Sequence, residues 1–257
     1  DRIEFSTNLL IVLFVFISYA LIGFFDDYIS IKRKRNKGLT QFQKLLLQFV
    51  VALIFYILFC EYTSGDSVLE ITLLNIEWDL NWFYGIFILL LLVGSSNAVN
   101  LTDGLDGLAG GLSVIAFLAF GLLSWGSYWV EGYQDIGIFC FVLVGSIMGF
   151  LVFNSHPAKV FMGDTGSLTL GATLATIAIL TSHELSLAVI GGVFVIETLT
   201  VIIQIFSVMV FKKKVFLMTP IHHHFERLGW SENDIVKLFW IVGFILSLIA
   251  LVYGVWL

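Results

Sequence analysis

The chain has 257 residues, 59% of them hydrophobic and 12% charged, with mean hydropathy +0.98 and formal net charge −6. That balance excludes a water-soluble globular domain and a nucleic-acid-binding protein, and it identifies an integral membrane protein. The two cysteines, Cys60 and Cys140, show no metal-site spacing and read as packed thiols.

Eight apolar stretches reach or approach the roughly 20 residues that cross about 30 Å of hydrocarbon. They run over 8–25, 42–59, 82–95, 105–125, 136–153, 167–182, 185–211 and 236–256. The third and sixth are short. The seventh is long and holds Gly191, Gly192 and Glu197, so it is expected to tilt or break. The fold class predicted is an all-α polytopic helix bundle, one membrane domain over 1–257. Its segments 26–44, 97–107, 154–167 and 212–235 share one face. The chain opens at Asp1, almost directly on a span, which leads us to expect that an N-terminal portion precedes it.

Lys and Arg are retained on the cytoplasmic side, which orients the bundle. With the first connection inside, twelve of the thirteen cations lie inside and only Arg2 falls outside. Glu61, Asp66, Glu70, Glu77, Asp79, Glu131, Asp135 and Glu184 take the opposite face. The inner face is therefore net basic despite the overall charge, which suits anionic lipid or phosphorylated substrates.

Along that inner face run four polar motifs. The first span ends Phe25-Asp26-Asp27-Tyr28. Paired acids at a helix C-terminus oppose the dipole unless a cation compensates. Adjacent side chains also point about 100° apart, so one acid can bind or deprotonate a substrate while the other orients it. Lys44, at the start of the second span, is placed to reach a phosphate, whereas the run from Lys32 to Lys37 reads as a headgroup contact.

The second motif, Asn97 to Gly110, carries Asn100, Asp103, Leu105 and Asp106 among glycines. A helix starting near Asp103 would turn free amides toward an anion and put Asp103 and Asp106 on one face. It lacks the spacing of a calcium-binding EF-hand loop. The third, Asn154 to Ser167, holds Phe161 and sets Asp164 between glycines, with Thr165 or Ser167 as candidate cap of the sixth span. The fourth is Pro220-Ile221-His222-His223-His224-Phe225-Glu226. Three consecutive histidines cannot all face one ion, so one or two are expected to meet a diphosphate instead. Glu197 is the only acid buried in a predicted span, where an unpaired charge costs roughly 2.5–3.5 kcal/mol, so it is expected to face protein or a groove.

Together these strings resemble the polyprenyl-phosphate hexose-1-phosphate transferases, and within them the phospho-N-acetylmuramoyl-pentapeptide-transferase (translocase I) family. The resemblance spans essentially the whole chain. It implies a ten-helix bacterial inner-membrane enzyme, usually a homodimer, that uses Mg2+ in a cytoplasmic cleft. Such an enzyme moves phospho-N-acetylmuramoyl-pentapeptide from its UDP-linked donor to undecaprenyl phosphate, giving lipid I and UMP in peptidoglycan synthesis and hence cell-wall biogenesis. Eight spans against ten lead us to expect that the first two are absent here, with a loop lysine that helps bind nucleotide.

By the same resemblance Asp26 acts at the lipid phosphate, supported by Asp27, and Asp164 is the metal ligand. Asp103, His222 and His223 join the catalytic group, His222 and His223 at the diphosphate or sugar. Asn100 is a polar group near the metal. Leu105, Asp106 and Phe161 form the uridine pocket, and Lys44, Asn154 and His224 also line the cleft. Direct attack and a covalent enzyme intermediate both stay open. Two alternatives stand beside this reading: a related transferase of N-acetylglucosamine-1-phosphate, and a cation-coupled transporter, which would need polar groups nearer the midplane.

Overall fold

The computed structural model describes residues 6–33, 38–63, 68–71, 76–125 and 133–256. Lys34, Arg35 and Lys37 of the basic run, and Asp66 and Glu131 of the opposite face, lie outside them. Ten helices are described: α1 (Thr7–Lys32), α2 (Gln41–Tyr62), α3 (Phe83–Thr102), α4 (Leu108–Trp125), α5 (Gln134–Asn154), α6 (Gly163–Leu180), α7 (Glu184–Ile190), α8 (Gly192–Phe211), α9 (Ile221–Arg227) and α10 (Glu232–Trp256). Seven of them are long and apolar enough to cross a membrane. The chain is an all-α, multi-pass membrane protein.

The sixth expected span, α6, stands outside that group of seven, and its place in the bundle explains why. From Ser167 to Leu180 every residue is buried, against α1 and α3 above all. A helix sheltered from lipid on all sides can carry threonines, provided their hydroxyls are satisfied. Thr169, Thr173 and Thr176 each donate to the carbonyl four residues back, at 2.6, 2.7 and 2.9 Å. Lipid supplies no hydrophobic drive between helices, so close packing depends on small residues. At Gly171 a Cβ would overlap the Ser95 carbonyl of α3, and at Gly23 of α1 it would overlap the Asp164 carbonyl.

The seventh stretch breaks as expected: α7 ends at Gly191 and α8 starts at Gly192. Other boundaries need correction. Helices continue past the last apolar residue because their polar ends project from the hydrocarbon. Thus Asp26 and Asp27 sit more than a turn inside α1, and Asn97 and Asn100 belong to α3. A short antiparallel hairpin, β1 (Val68–Ile71) with β2 (Ile76–Asp79), pairs Val68 with Asp79 between α2 and α3, where only a loop is expected. Of the cysteines, Cys140 is packed, but Cys60 is exposed on α2, since an apolar helix face can meet lipid instead of protein.

Candidate active site

The site gathers at the first turn of α6. Gly163 has φ +64°, and a side chain there would press on the Asp27 carboxylate. Glycine therefore lets the chain turn into α6 directly under α1. The helix has no side-chain cap of its own, and neither Thr165 nor Ser167 serves as one, since both lie inside it. Instead Asp27 accepts hydrogen bonds from the Asp164 and Thr165 amides, at 3.2 and 2.9 Å, and from the Thr165 hydroxyl at 2.6 Å. A carboxylate there meets the positive end of the α6 dipole.

Asp26 and Asp164 share one cation. Lys44, on α2 and 9% exposed, pairs with Asp164 and lies 3.6 Å from Asp26. Asp26 also accepts the Leu39 amide at 2.8 Å. Asp164 is held from its other side by the Asn100 amide, 2.7 Å away, which reaches Ser167 as well at 2.9 Å. One oxygen from each of Asp26, Asp27 and Asp164 lies within 4.8 Å of the others. Three carboxylates so close repel one another, and a cation relieves that repulsion.

Beside this cluster opens a cavity of about 390 Å³, with Asp164 in its wall. Asn100, Asp103, Leu105, Asp106, Asn154 and Phe161 line it as well. Asp103 and Asp106 do not sit on one helix face as expected. Asp103 closes the C-terminus of α3 and α4 begins only at Leu108, because the positive φ of Gly107 (+79°) turns the chain between them. Burial, reinforced by the charges of Asp164 and Asp27, pushes the Asp103 carboxyl up to about 7.

Asp106 is bound into a latch that the sequence gives no sign of. Its carboxylate accepts the Ala158 amide at 2.9 Å and lies 3.1 Å from His156 Nδ1. Its own amide donates to Glu232 at 2.7 Å, and Glu232 lies 3.0 Å from the same His156 nitrogen. The connections before α4 and after α5 and the first residue of α10 are thereby joined beside the cavity. Asn154 donates to the Val160 carbonyl at 2.9 Å, bracing the segment that carries the exposed ring of Phe161.

The three histidines of α9 point three ways, as consecutive positions require. His222 is fully buried and meets Glu197. His223 lies 2.5 Å from Glu226, and His224 accepts the Leu217 amide at 3.1 Å. None of them lines the cavity itself.

Comparison with known proteins identifies the family. The glycosyl transferase family 4 model matches residues 9–182. The phospho-N-acetylmuramoyl-pentapeptide-transferase of Bacillus subtilis is 50% identical over 254 residues, which is 99% of this chain and 77% of that protein. The protein of the same name from Shouchella clausii is 51% identical over 253 residues, 98% of this chain and 76% of its own length. That from Geobacillus thermodenitrificans is 50% identical over 252 residues, with 98% and 76% covered. Matched over most of its length by the family model and nearly end to end by these relatives, the chain belongs to glycosyl transferase family 4.

Proposed function

We propose that the protein transfers phospho-N-acetylmuramoyl-pentapeptide from its UDP-linked donor to undecaprenyl phosphate, forming lipid I and UMP. The observation that carries this is the convergence of Asp26, Asp27 and Asp164 beside a polar cavity at the helix ends, in a chain half identical to transferases of that name. Hard oxygen donors around a point already drawing the Lys44 ammonium fit Mg2+, with Asp164 the ligand and Asp26 and Asp27 in reach. When bound, the ion would supply charge neutralisation to the diphosphate.

The chain's own residues supply the rest. Asp26, held by the Leu39 amide, takes the proton of the acceptor phosphate or acts on it directly. Asp27 fixes the first turn of α6 and so aims Asp164. Lys44 is positioned to move from the carboxylates to an incoming phosphate. Leu105, Asp106 and Phe161 form the wall for uridine, with Asn100, Asp103 and Asn154 around it. His222 and His223 serve the diphosphate and sugar, and His224 orders the loop before α9. We place this face in the cytoplasm and the protein in the bacterial inner membrane, on the twelve-to-one division of cations. A homodimer follows from the family resemblance alone. A transporter is disfavoured, because Glu197, the acid deep in a span, is tied to His222 instead of lining a path.

Incubation with undecaprenyl phosphate and, in parallel, UDP-N-acetylmuramoyl-pentapeptide or UDP-N-acetylglucosamine tests the reading by mass of the lipid product. Lipid I from the first donor alone is expected. A lipid-linked N-acetylglucosamine phosphate would replace this reading with the alternative transferase.

A further inference from the structure

Glu197 lies inside α8 and is fully buried, as is His222 on α9. The two meet through His222 Nδ1 and Glu197 Oε1, 3.1 Å apart. Glu197 Oε2 and His222 Nε2 have no hydrogen-bond partner among the described residues. A buried polar atom in that condition is either a standing penalty or an atom waiting for a ligand. The surroundings of Nε2 decide between these. It faces Gly104, and a Cβ at that position would overlap it. Gly104 lines the cavity beside Asp103 and Asp106. Glycine lets the imidazole pack directly behind this part of the cavity wall, where any other residue would collide with Nε2.

The chemistry of the pair fixes the ring. A carboxylate oxygen accepts from Nδ1–H, which leaves Nε2 as the nitrogen facing Gly104 in the cavity wall. The opposite tautomer would set a lone pair against the carboxylate, and the flipped ring would set a C–H edge there. From these relations we infer that Glu197 is a positioning residue. It acts through His222, holding the imidazole so that the Nε2 lone pair is presented past Gly104 to accept from a hydroxyl of the phosphorylated donor in the cavity. The inference rests on the proposed transferase reading, deepens it, and gives the acid within α8 a role beyond packing.

A purely structural pair would behave differently, which makes the inference testable on the full chain in detergent or nanodiscs. Glu197→Leu removes the acceptor but keeps bulk. Because Glu197→Leu leaves the buried Nδ1–H of His222 without an acceptor, Tm should fall, and by more than in Glu197→Gln. The kcat should fall at least about tenfold, as when a carboxylate that sets a histidine's tautomer is lost, while the KM for undecaprenyl phosphate is unchanged. Glu197→Gln keeps an acceptor and should recover part of the rate. Combining Glu197→Leu with His222→Gln should cost little more than His222→Gln alone, because both remove one function. Independent of turnover, 15N NMR of labelled histidine, assigned by loss of a signal in His222→Gln, should show Nδ1 protonated in the wild type and a shifted tautomer balance in Glu197→Leu.

Losses that add fully in the double variant, wild-type kcat in Glu197→Leu, or a His222 signature that ignores Glu197 would each overturn the inference. A wild-type protein that yields no lipid product from either donor would instead overturn the functional reading, and the NMR result would still judge the pair.

Discussion

The carboxylate of Asp27 caps a helix that is not its own: it stands on α1 and takes the amide hydrogens of Asp164 and Thr165 at the first turn of α6. This separates it from its neighbour Asp26, which turns to the Leu39 amide and Lys44. Asp27→Asn should therefore damage the protein through position. Asparagine keeps one acceptor oxygen for the donors of α6 but loses the charge and the second acceptor, a part of the about 0.5–2 kcal/mol that an N-cap is worth, so thermal unfolding in detergent should begin a few degrees lower, together with a fall in kcat. Thr165→Val, which removes only the hydroxyl contact, should do less on both counts. An Asp27→Asn protein as stable as the wild type would show the cap to be unimportant.

Chelation should abolish turnover and magnesium restore it. Asp164→Asn should lose roughly 10² to 10³ in rate, about 2.7–4 kcal/mol, while still extracting and folding normally. Titrating magnesium against both proteins checks the assignment, since an Asp164→Asn enzyme with a near-normal rate at low magnesium would mean the ligand lies elsewhere.

Asp26→Asn should lower kcat sharply and leave nucleotide binding nearly intact. The second proton of a phosphate monoester leaves near pH 6, so a base matters least where the acceptor is already a dianion. If proton removal is its main work, the defect should shrink as pH rises from about 6 to about 9. A constant defect across that range would point to direct nucleophilic or electrostatic action. Wild-type kcat at every pH would remove Asp26 from the mechanism.

In a background lacking Cys60 and Cys140, single cysteines at Lys159 and Lys213 should react with an impermeant thiol reagent only once the inner face is opened. One at Glu61, exposed at the far end of α2, should react in intact spheroplasts. Labelling of all three from one side would reverse or dissolve the topology.

The Asp106 latch predicts a selective binding defect. Glu232→Ala removes the acceptor of the Asp106 amide and one of the two carboxylates on His156. The KM for the UDP-linked donor should rise several-fold with kcat little changed, which steady-state kinetics at saturating acceptor would show. An unchanged KM would make the latch a surface ornament.

Hydropathy located all seven described helices that are long and apolar enough to cross a membrane, because the bilayer demands a run of apolar residues of fixed length, and two glycines marked the α7–α8 break. It misjudged where helices end, since a helix leaving hydrocarbon continues on backbone hydrogen bonds that carry no hydropathy signal. Asp26, Asp27 and Asn100 are drawn into helices for that reason. The acids were legible as a set because carboxylates are scarce in such a chain. Their partners were not: the Asp27 cap, the Lys44 bridge and the Glu232 latch join residues from about 120 to 137 positions apart, and no local pattern reports such a distance. Glu197 stood out by its cost, yet only the fold shows that His222 answers it.

Because α6 is wrapped by helices made before and after it, the order of synthesis bears on when the enzyme can exist. Asp27, Lys44 and Asn100 leave the ribosome on α1, α2 and α3 well ahead of Asp164. Until that sixth helix threads between α1 and α3, those polar groups wait, hydrated, at the membrane surface. The arrival of α6 completes the carboxylate cluster and brings in the bundle's least lipid-tolerant segment, while Glu197, His222 and Glu232 follow only on α8, α9 and α10.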